Sequence, residues 1–168
     1  MKIIDLEMRH IGGVEQIERQ CFSAPWTRQN ILDTMQNGHS IFLAAILTDG
    51  QKAENHSGDK CRSQCQDQIK CGETIAGYIS ADAICETAYI NNVAVAADFR
   101  RKGIGKALIS ALEQRARTAG CTEITLEVRS KNAAAKTLYE ICGYRKCGER
   151  KNYYHDPADN AEIMTKKL

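Results

Sequence analysis

No stretch of this chain stays apolar long enough to cross a membrane. Its longest strongly apolar run, IFLAAIL at 41–47, falls far short of the roughly 20 residues that a spanning helix needs. The first ten residues, MKIIDLEMRH, carry charges where an export signal needs an apolar core. No leader is read there, and the protein is expected in the cytoplasm. Charge of one sign is also scarce. Lys plus Arg number 23 against 21 Asp plus Glu, and the formal net charge of +2 gives no reason to invoke a nucleic-acid surface. No internal repeat is visible.

What remains is an ordinary globular composition, 43% hydrophobic and 26% charged over 168 residues. That is enough chain for a single domain, residues 1–168, with a core that needs no covalent staples. The eight cysteines are not read as a disulfide framework, which a reducing compartment disfavours. Cys21, Cys85, Cys121 and Cys142 lie in or beside apolar segments, where a free thiol behaves as a small hydrophobe. Cys147 sits in a polar stretch, and Cys61, Cys65 and Cys71 crowd into CRSQCQDQIKC.

Periodicity orders the elements. Val14, Ile17, Cys21 and Phe22 recur at helical spacing, and a second short helix follows Thr27 as its cap, with Ile31, Leu32 and Met35 on one face. IFLAAILTDG reads as a buried strand ending in a turn, and ETIAGYISADAI and TAYINNVAVAADF read as strands. Residues 49–72 are polar without a sustained period and read as a long exposed loop inserted between two strands. From 103 a helix shows Ile104, Leu108, Ala111, Leu112 and Ala116 on one face, with Glu113, Gln114 and Arg117 largely opposite, and it stops at Gly120. TEITLEV alternates, and NAAAKTLYEICGY is a helix from Asn132 to Gly143. The tail reads as two strands joined by a turn around Asp156–Asn160. The result is an α/β layered fold.

The densest cationic cluster is Arg100, Arg101, Lys102 and Lys106, interleaved with Gly103, Ile104 and Gly105 at a helix start. A helix N-terminus has unpaired N–H groups and partial positive charge, and glycine lets an anion approach them. The stretch has neither the GxxxxGK[ST] order of a nucleotide loop nor the third glycine of a dinucleotide fingerprint. A solvated glycine turn is the plain alternative. The chemistry otherwise suits a pyrophosphate.

NNVAVAADFRRKGIGKALI resembles the acetyl-CoA signature of the GNAT N-acetyltransferase superfamily, Arg/Gln-x-x-Gly-x-Gly/Ala, through Arg100, Gly103 and Gly105. LEVRSKNAAAKTLYEICGY, RKNYY and FSAPWT resemble the ribosomal-protein-alanine N-acetyltransferase (RimI-type) branch. The four segments stand in that branch's order and cover nearly the whole chain except 49–72. The resemblance implies a GNAT fold, a central mixed and mostly antiparallel sheet splayed between its fourth and fifth strands and flanked by helices. It implies acetyl-CoA as cosubstrate, with its pantetheine arm along the backbone of Val93, Ala94 and Val95. Its pyrophosphate would lie on Arg101 through Lys106, and Asn132 would contact the cofactor.

Acetyl transfer to an amine needs a proton acceptor, a polarised carbonyl and a proton for the leaving thiolate. On pattern alone Glu127 is equally a solvent-facing strand carboxylate paired with Arg129 or a lysine, and Tyr139 equally a core tyrosine. The resemblance makes Glu127 the general base, Tyr139 the general acid and an N–H near Val95 the carbonyl's donor. It also places Trp26 and Tyr153 on the peptide side. No cysteine stands in an evident Cys/His arrangement, so direct transfer in a ternary complex is expected rather than a covalent route. The acceptor implied is a protein N-terminus, the alanine of ribosomal protein bS18 first. Lysine, a small amine, or a non-catalytic acyl-CoA sensor are the alternatives. His56, Cys61, Cys65 and Cys71 could ligate zinc on paper, but C-x3-C-x5-C lacks the usual C-x2-C pair. No metal is expected.

Overall fold

The computed structural model describes residues 1–48 and 73–168, so the expected loop at 49–72, with His56, Cys61, Cys65 and Cys71, lies outside the described residues. The described chain runs β1 (Lys2–Asp5), α1 (Ile11–Cys21), α2 (Arg28–Gln36), β2 (Ser40–Thr48), β3 (Glu73–Ile84), β4 (Thr87–Val95), α3 (Ile104–Thr118), β5 (Glu123–Arg129), α4 (Ala133–Ile141), β6 (Arg145–His155) and β7 (Ala158–Lys167). The seven strands form one sheet in the order β1-β2-β3-β4-β5-β7-β6, antiparallel except for the β4–β5 pair. β1, only four residues long and at the sheet edge, is the element that periodicity did not announce.

Each face of the sheet carries its own core. Alternation on β5 sends Ile124, Leu126 and Val128 to the face covered by Leu108, Ile109 and Leu112 of α3 and Tyr139 of α4. The opposite face packs Phe42, Ala44, Tyr78 and Ala94 under Ile11, Val14 and Ile17 of α1 and Ile31 of α2. Thr27 caps α2 as expected, its hydroxyl accepting from Asn30 N. Asn132 caps α4 by accepting from Ala135 N at 3.1 Å.

Three expectations need correction. Glu113 is buried rather than turned outward, because Lys166 of β7 reaches over it and both carboxylate oxygens take its ammonium at 2.7 and 2.8 Å. Cys85 is exposed rather than packed, because it occupies the β3–β4 turn at φ +54°. The β6–β7 turn is shorter than Asp156–Asn160, since Tyr154–Asp159 and His155–Ala158 already pair across it.

β4 and β5 stay paired only from Thr87–Glu123 to Ile90–Leu126. At that point the β3–β4 register slips. Ala81 faces Ile90 while Ser80 faces Asn92, leaving Asn91 as an extra residue. A bulge bends and twists its strand, and here it turns Asn92–Val95 away from β5. Beyond the last pair, Glu127, Val128 and Arg129 are held by β7 alone. The sheet therefore opens between its two parallel strands.

Candidate active site

The β4 wall of this opening offers backbone. Ala96 N donates to Ala76 O at 2.9 Å, so strand alternation points the N–H and C=O of Val95, and of Val93 two residues back, toward the gap. The Val95 carbonyl is already taken. Arg100 Nε donates to it at 3.0 Å and Cys21 Sγ lies 3.8 Å away, while Arg100 Nη2 reaches Cys21 Sγ at 3.3 Å. Arg100 thus folds back as a brace, with its guanidinium on β4 rather than at the helix start. The Val95 N–H is left facing the gap.

The next turn builds a concave run of amides. Arg101 at φ +63° and Gly103 at φ +79° are both left-handed, with Lys102 between them, an alternation that turns successive N–H groups inward. Gly103 is the N-cap of α3 and has no side chain to satisfy the first turn. Helical bonding begins with Ala107 N to Gly103 O, so the amides of Ile104, Gly105 and Lys106 precede it. Arg101, Lys102 and Lys106 are exposed around them. Gly105 matters for a close approach, since a Cβ there would sit 3.0 Å from Leu138 Cδ2 of α4.

The β5 wall supplies the carboxylate. Glu127 alternates with Leu126 and Val128 and so faces the α1–α2 side, half-buried, with Arg150 Nε at 2.7 Å from Oε1. Its partner comes from β6 rather than from Arg129 or a lysine. β6 itself departs from the ladder between Arg150 and Tyr154. Asn152 sits at φ +54° and its N–H is satisfied by Asn160 Oδ1 at 2.9 Å. The irregularity sets Tyr153 beside Glu127, and the neighbouring carboxylate, followed by burial, raises its phenol above the ordinary range. Arg129 lies 4.1 Å over the Tyr154 ring and donates to the carbonyls of Pro157 and Asp156 at 2.7 and 2.9 Å, fixing the hairpin tip.

Tyr139 approaches from the other face. It is 5% exposed, packed edge-on against Tyr144 with ring centroids 5.9 Å apart. Burial first, then the Tyr154 and Cys142 groups, push its phenol well above 10, so it is protonated at neutral pH. Asn132 is exposed at the N-terminus of the same helix. Trp26 is half-buried, its ring edge-on to Phe42 at 6.5 Å. Its segment touches the β6–β7 tip where Ser23 Oγ donates to Asp156 O at 3.2 Å. Trp26 and Tyr153 therefore stand on two segments that meet on the α1–α2 side of the gap. Two surface clefts of ≈ 400 and 500 Å3 lie apart from these residues, beside β1, β2 and α3.

The fold is matched by known proteins. Residues 13–144 match the acetyltransferase (GNAT) family. The chain belongs to that family. It is an N-acetyltransferase using acetyl-CoA, and its α/β fold is the GNAT fold. The [ribosomal protein bS18]-alanine N-acetyltransferase of Escherichia coli K12 is 36% identical over 164 residues, covering 96% of this chain and 94% of the relative. A putative enzyme of the same name from Bacillus subtilis is 26% identical over 161 residues, 95% of this chain and 91% of the relative. Among solved structures, the ribosomal-protein-S18-alanine N-acetyltransferase from Escherichia coli superposes with a TM-score of 0.76 at 25% identity, covering 99% of this chain and 93% of the other. NAA60 of Arabidopsis thaliana in complex with acetyl-CoA shares the fold, with a TM-score of 0.78 at 17% identity over 99% of this chain and 98% of the other.

Sequence reasoning missed two participants. Arg150 lies 23 positions from Glu127 in sequence, and only the β5-β7-β6 order brings them together. Glu18 is an acidic residue on an amphipathic helix that turns out fully buried. The one sequence hint for Glu18 is its helical spacing from Val14 and Cys21.

Proposed function

We propose that this chain acetylates the α-amino group of a protein N-terminus, with the alanine of ribosomal protein bS18 as first candidate, by direct transfer from acetyl-CoA. The observation that carries the reading is the pair of groups flanking the opened strands, with Glu127 on the α1–α2 face and Tyr139 buried on the α4 face. An acyl group held between them meets a proton acceptor on one side and a proton donor on the other.

Acetyl-CoA supplies an activated acyl group and a thiolate that must be protonated as it leaves. The residues available to hold it are the open backbone of Val93 and Val95, the amides and cations from Arg101 to Lys106, and Asn132. The Val95 N–H is the donor for the developing oxyanion. Glu127 takes the amine's proton and Tyr139 gives its own to sulfur. The acceptor passes between the Trp26 segment and Tyr153.

The chemistry favours an N-terminus over a lysine. An α-amino group, with pKa about 7.7–8.0, is neutral roughly one time in ten near pH 7, whereas a lysine near 10.4 is neutral about once in several thousand. A single carboxylate has far less to supply to the first. The relatives named for bS18-alanine acetylation support the same choice.

The test is incubation with acetyl-CoA and a panel of peptides carrying free N-termini or internal lysines, read by mass spectrometry. Acetate on the α-amine of an Ala-starting bS18 peptide is the expected product. Modification of lysine alone refutes the reading. Glu127→Gln and Tyr139→Phe should each keep acetyl-CoA binding and lose about 100-fold or more in kcat.

A further inference from the structure

Glu18 is 0% exposed, and its partners are three neutral donors. Trp26 N donates to Oε2 at 2.8 Å, Asn92 Nδ2 donates to Oε1 at 3.1 Å, and the Tyr78 hydroxyl donates to the same Oε1. A buried carboxylate without a cation is costly to desolvate, and an apolar side chain of similar size would pack here without that cost. What the carboxylate provides instead is connection. Its donors come from three segments, the loop between α1 and α2, the middle of β3, and the first residue of β4 beyond the bulge.

Asn92 opens the segment whose free edge faces the gap, and Trp26 stands on the loop above it. A second seam joins the same helix to the far end of that segment, through Cys21, Arg100 and the Val95 carbonyl. Of these two seams the Glu18 one reaches the loop, which Ser23 also ties to the β6–β7 tip and the Trp26 ring to Phe42. Charge-assisted hydrogen bonds are short and directional, and one carboxylate links the backbone of Trp26 to Asn92 of β4.

We propose that Glu18 is a positioning residue for the acceptor. From beneath the α1–α2 loop it locks Trp26 to β4 at Asn92, so that the incoming amine arrives in register with the Val95 N–H and Glu127. This rests on the reading that the acceptor passes between that loop and Tyr153.

Trp26 is the sole tryptophan of the chain, so its fluorescence reports the loop without any need for turnover. Glu18→Gln exchanges one acceptor oxygen for a donor, and Tyr78→Phe removes one partner. Both are compared with Glu149→Gln on exposed β6 as control. Acrylamide quenching of Trp26, acetyl-CoA Kd by calorimetry, and kcat and KM for whichever amine the wild type acetylates are measured on each folded protein. In Glu18→Gln the expected result is stronger quenching and an acceptor KM raised about tenfold, the size of a lost hydrogen bond to a charged group. Acetyl-CoA Kd and kcat should stay within about twofold of wild type. Tyr78→Phe should move the same two quantities less, and Glu149→Gln neither. Unchanged quenching and acceptor KM in folded Glu18→Gln overturn the proposal, as does an acetyl-CoA Kd that shifts as much as the acceptor KM. If Glu18→Gln does not fold, unchanged quenching and KM in Tyr78→Phe overturn it instead. If the wild type uses lysine or a small amine in place of an N-terminus, the proposed function fails while the quenching and the KM for that amine still decide the role of Glu18.

Discussion

The Arg150 guanidinium sits 2.7 Å from Glu127 Oε1, so the carboxylate assigned to take the acceptor's proton already has a cation against it. Arg150 also lies 5.6 Å from the Tyr153 ring centroid, and Tyr153 falls within the irregularity of β6 that begins after Arg150. An acceptor that approaches as an ammonium competes with this side chain for the same oxygen.

Arg150→Met removes the competitor while keeping a stem of similar length. Exposed ion pairs are worth about 0–1 kcal/mol, and the Arg150 side chain is 58% exposed. Acceptor KM should therefore fall by up to about fivefold at low salt, with the difference shrinking as salt rises. A loss of kcat/KM of about tenfold would show instead that the guanidinium assists the reaction. Steady-state kinetics at two ionic strengths decide between them.

Tyr139 gives a prediction about alkaline pH. Burial raises its phenol above the ordinary value of 10, so the protonated form persists at every pH below that value. The kcat of the wild type should show no fall between pH 8 and 9.5 that disappears in Tyr139→Phe. Such a fall, removed by the substitution, would place the phenol in the ordinary range and contradict its buried setting.

At Gly103 the backbone alone is at stake, because a Cβ there would meet no atom within 4 Å while φ is +79°. Gly103→Ala should cost about 1–2 kcal/mol, the left-handed penalty for an L-residue, or relax that penalty by swinging the amides of the α3 start. Urea unfolding should show the first outcome and calorimetry with acetyl-CoA the second, as a weaker Kd. A variant unchanged in both would mean that the turn does not need its observed conformation.

His10 should make the fold acid-sensitive. It is fully buried, accepts from Glu7 N at Nδ1 and faces Arg9 at Nε2. Burial first, then Arg9, lower its pKa from 6.5, against smaller opposing effects of Glu7 and Glu73. The unfolded chain therefore binds a proton at higher pH than the folded one. The stabilisation from neutral His10 is complete above about pH 6.5 and is lost as pH falls toward the lowered folded value. Urea midpoints should drop between pH 7 and 5, and His10→Gln should flatten that drop. An equal drop in the variant would assign the sensitivity to other groups.

Much of this architecture could be read from residue order. The alternation in TEITLEV fixed which side of β5 Glu127 would take, and the glycines with Thr27 and Asn132 marked helix ends. Partners were not legible, because alternation names a face and not what lies across it. Glu113 looked solvent-facing by helical phase, and only β7, running between β5 and β6, brings Lys166 over it. Glu18 was missed for the same reason, since its three donors lie 8, 60 and 74 positions away. The edge strand KIID was too short to carry a period, and its pairing with β2 is what makes it a strand.

The parted strands leave raw backbone edges inside a folded sheet. Open edges usually invite a neighbouring chain, yet here they are recessed, and one carbonyl is plugged by Arg100 and Cys21. An extended molecule seated there would complete the sheet. By mass action, a cosubstrate at about 100 times its Kd adds roughly 2.7 kcal/mol of stability. The enzyme's resistance to heat and proteases should therefore rise with its supply of coenzyme. A starved cell would hold this protein in its most fragile form.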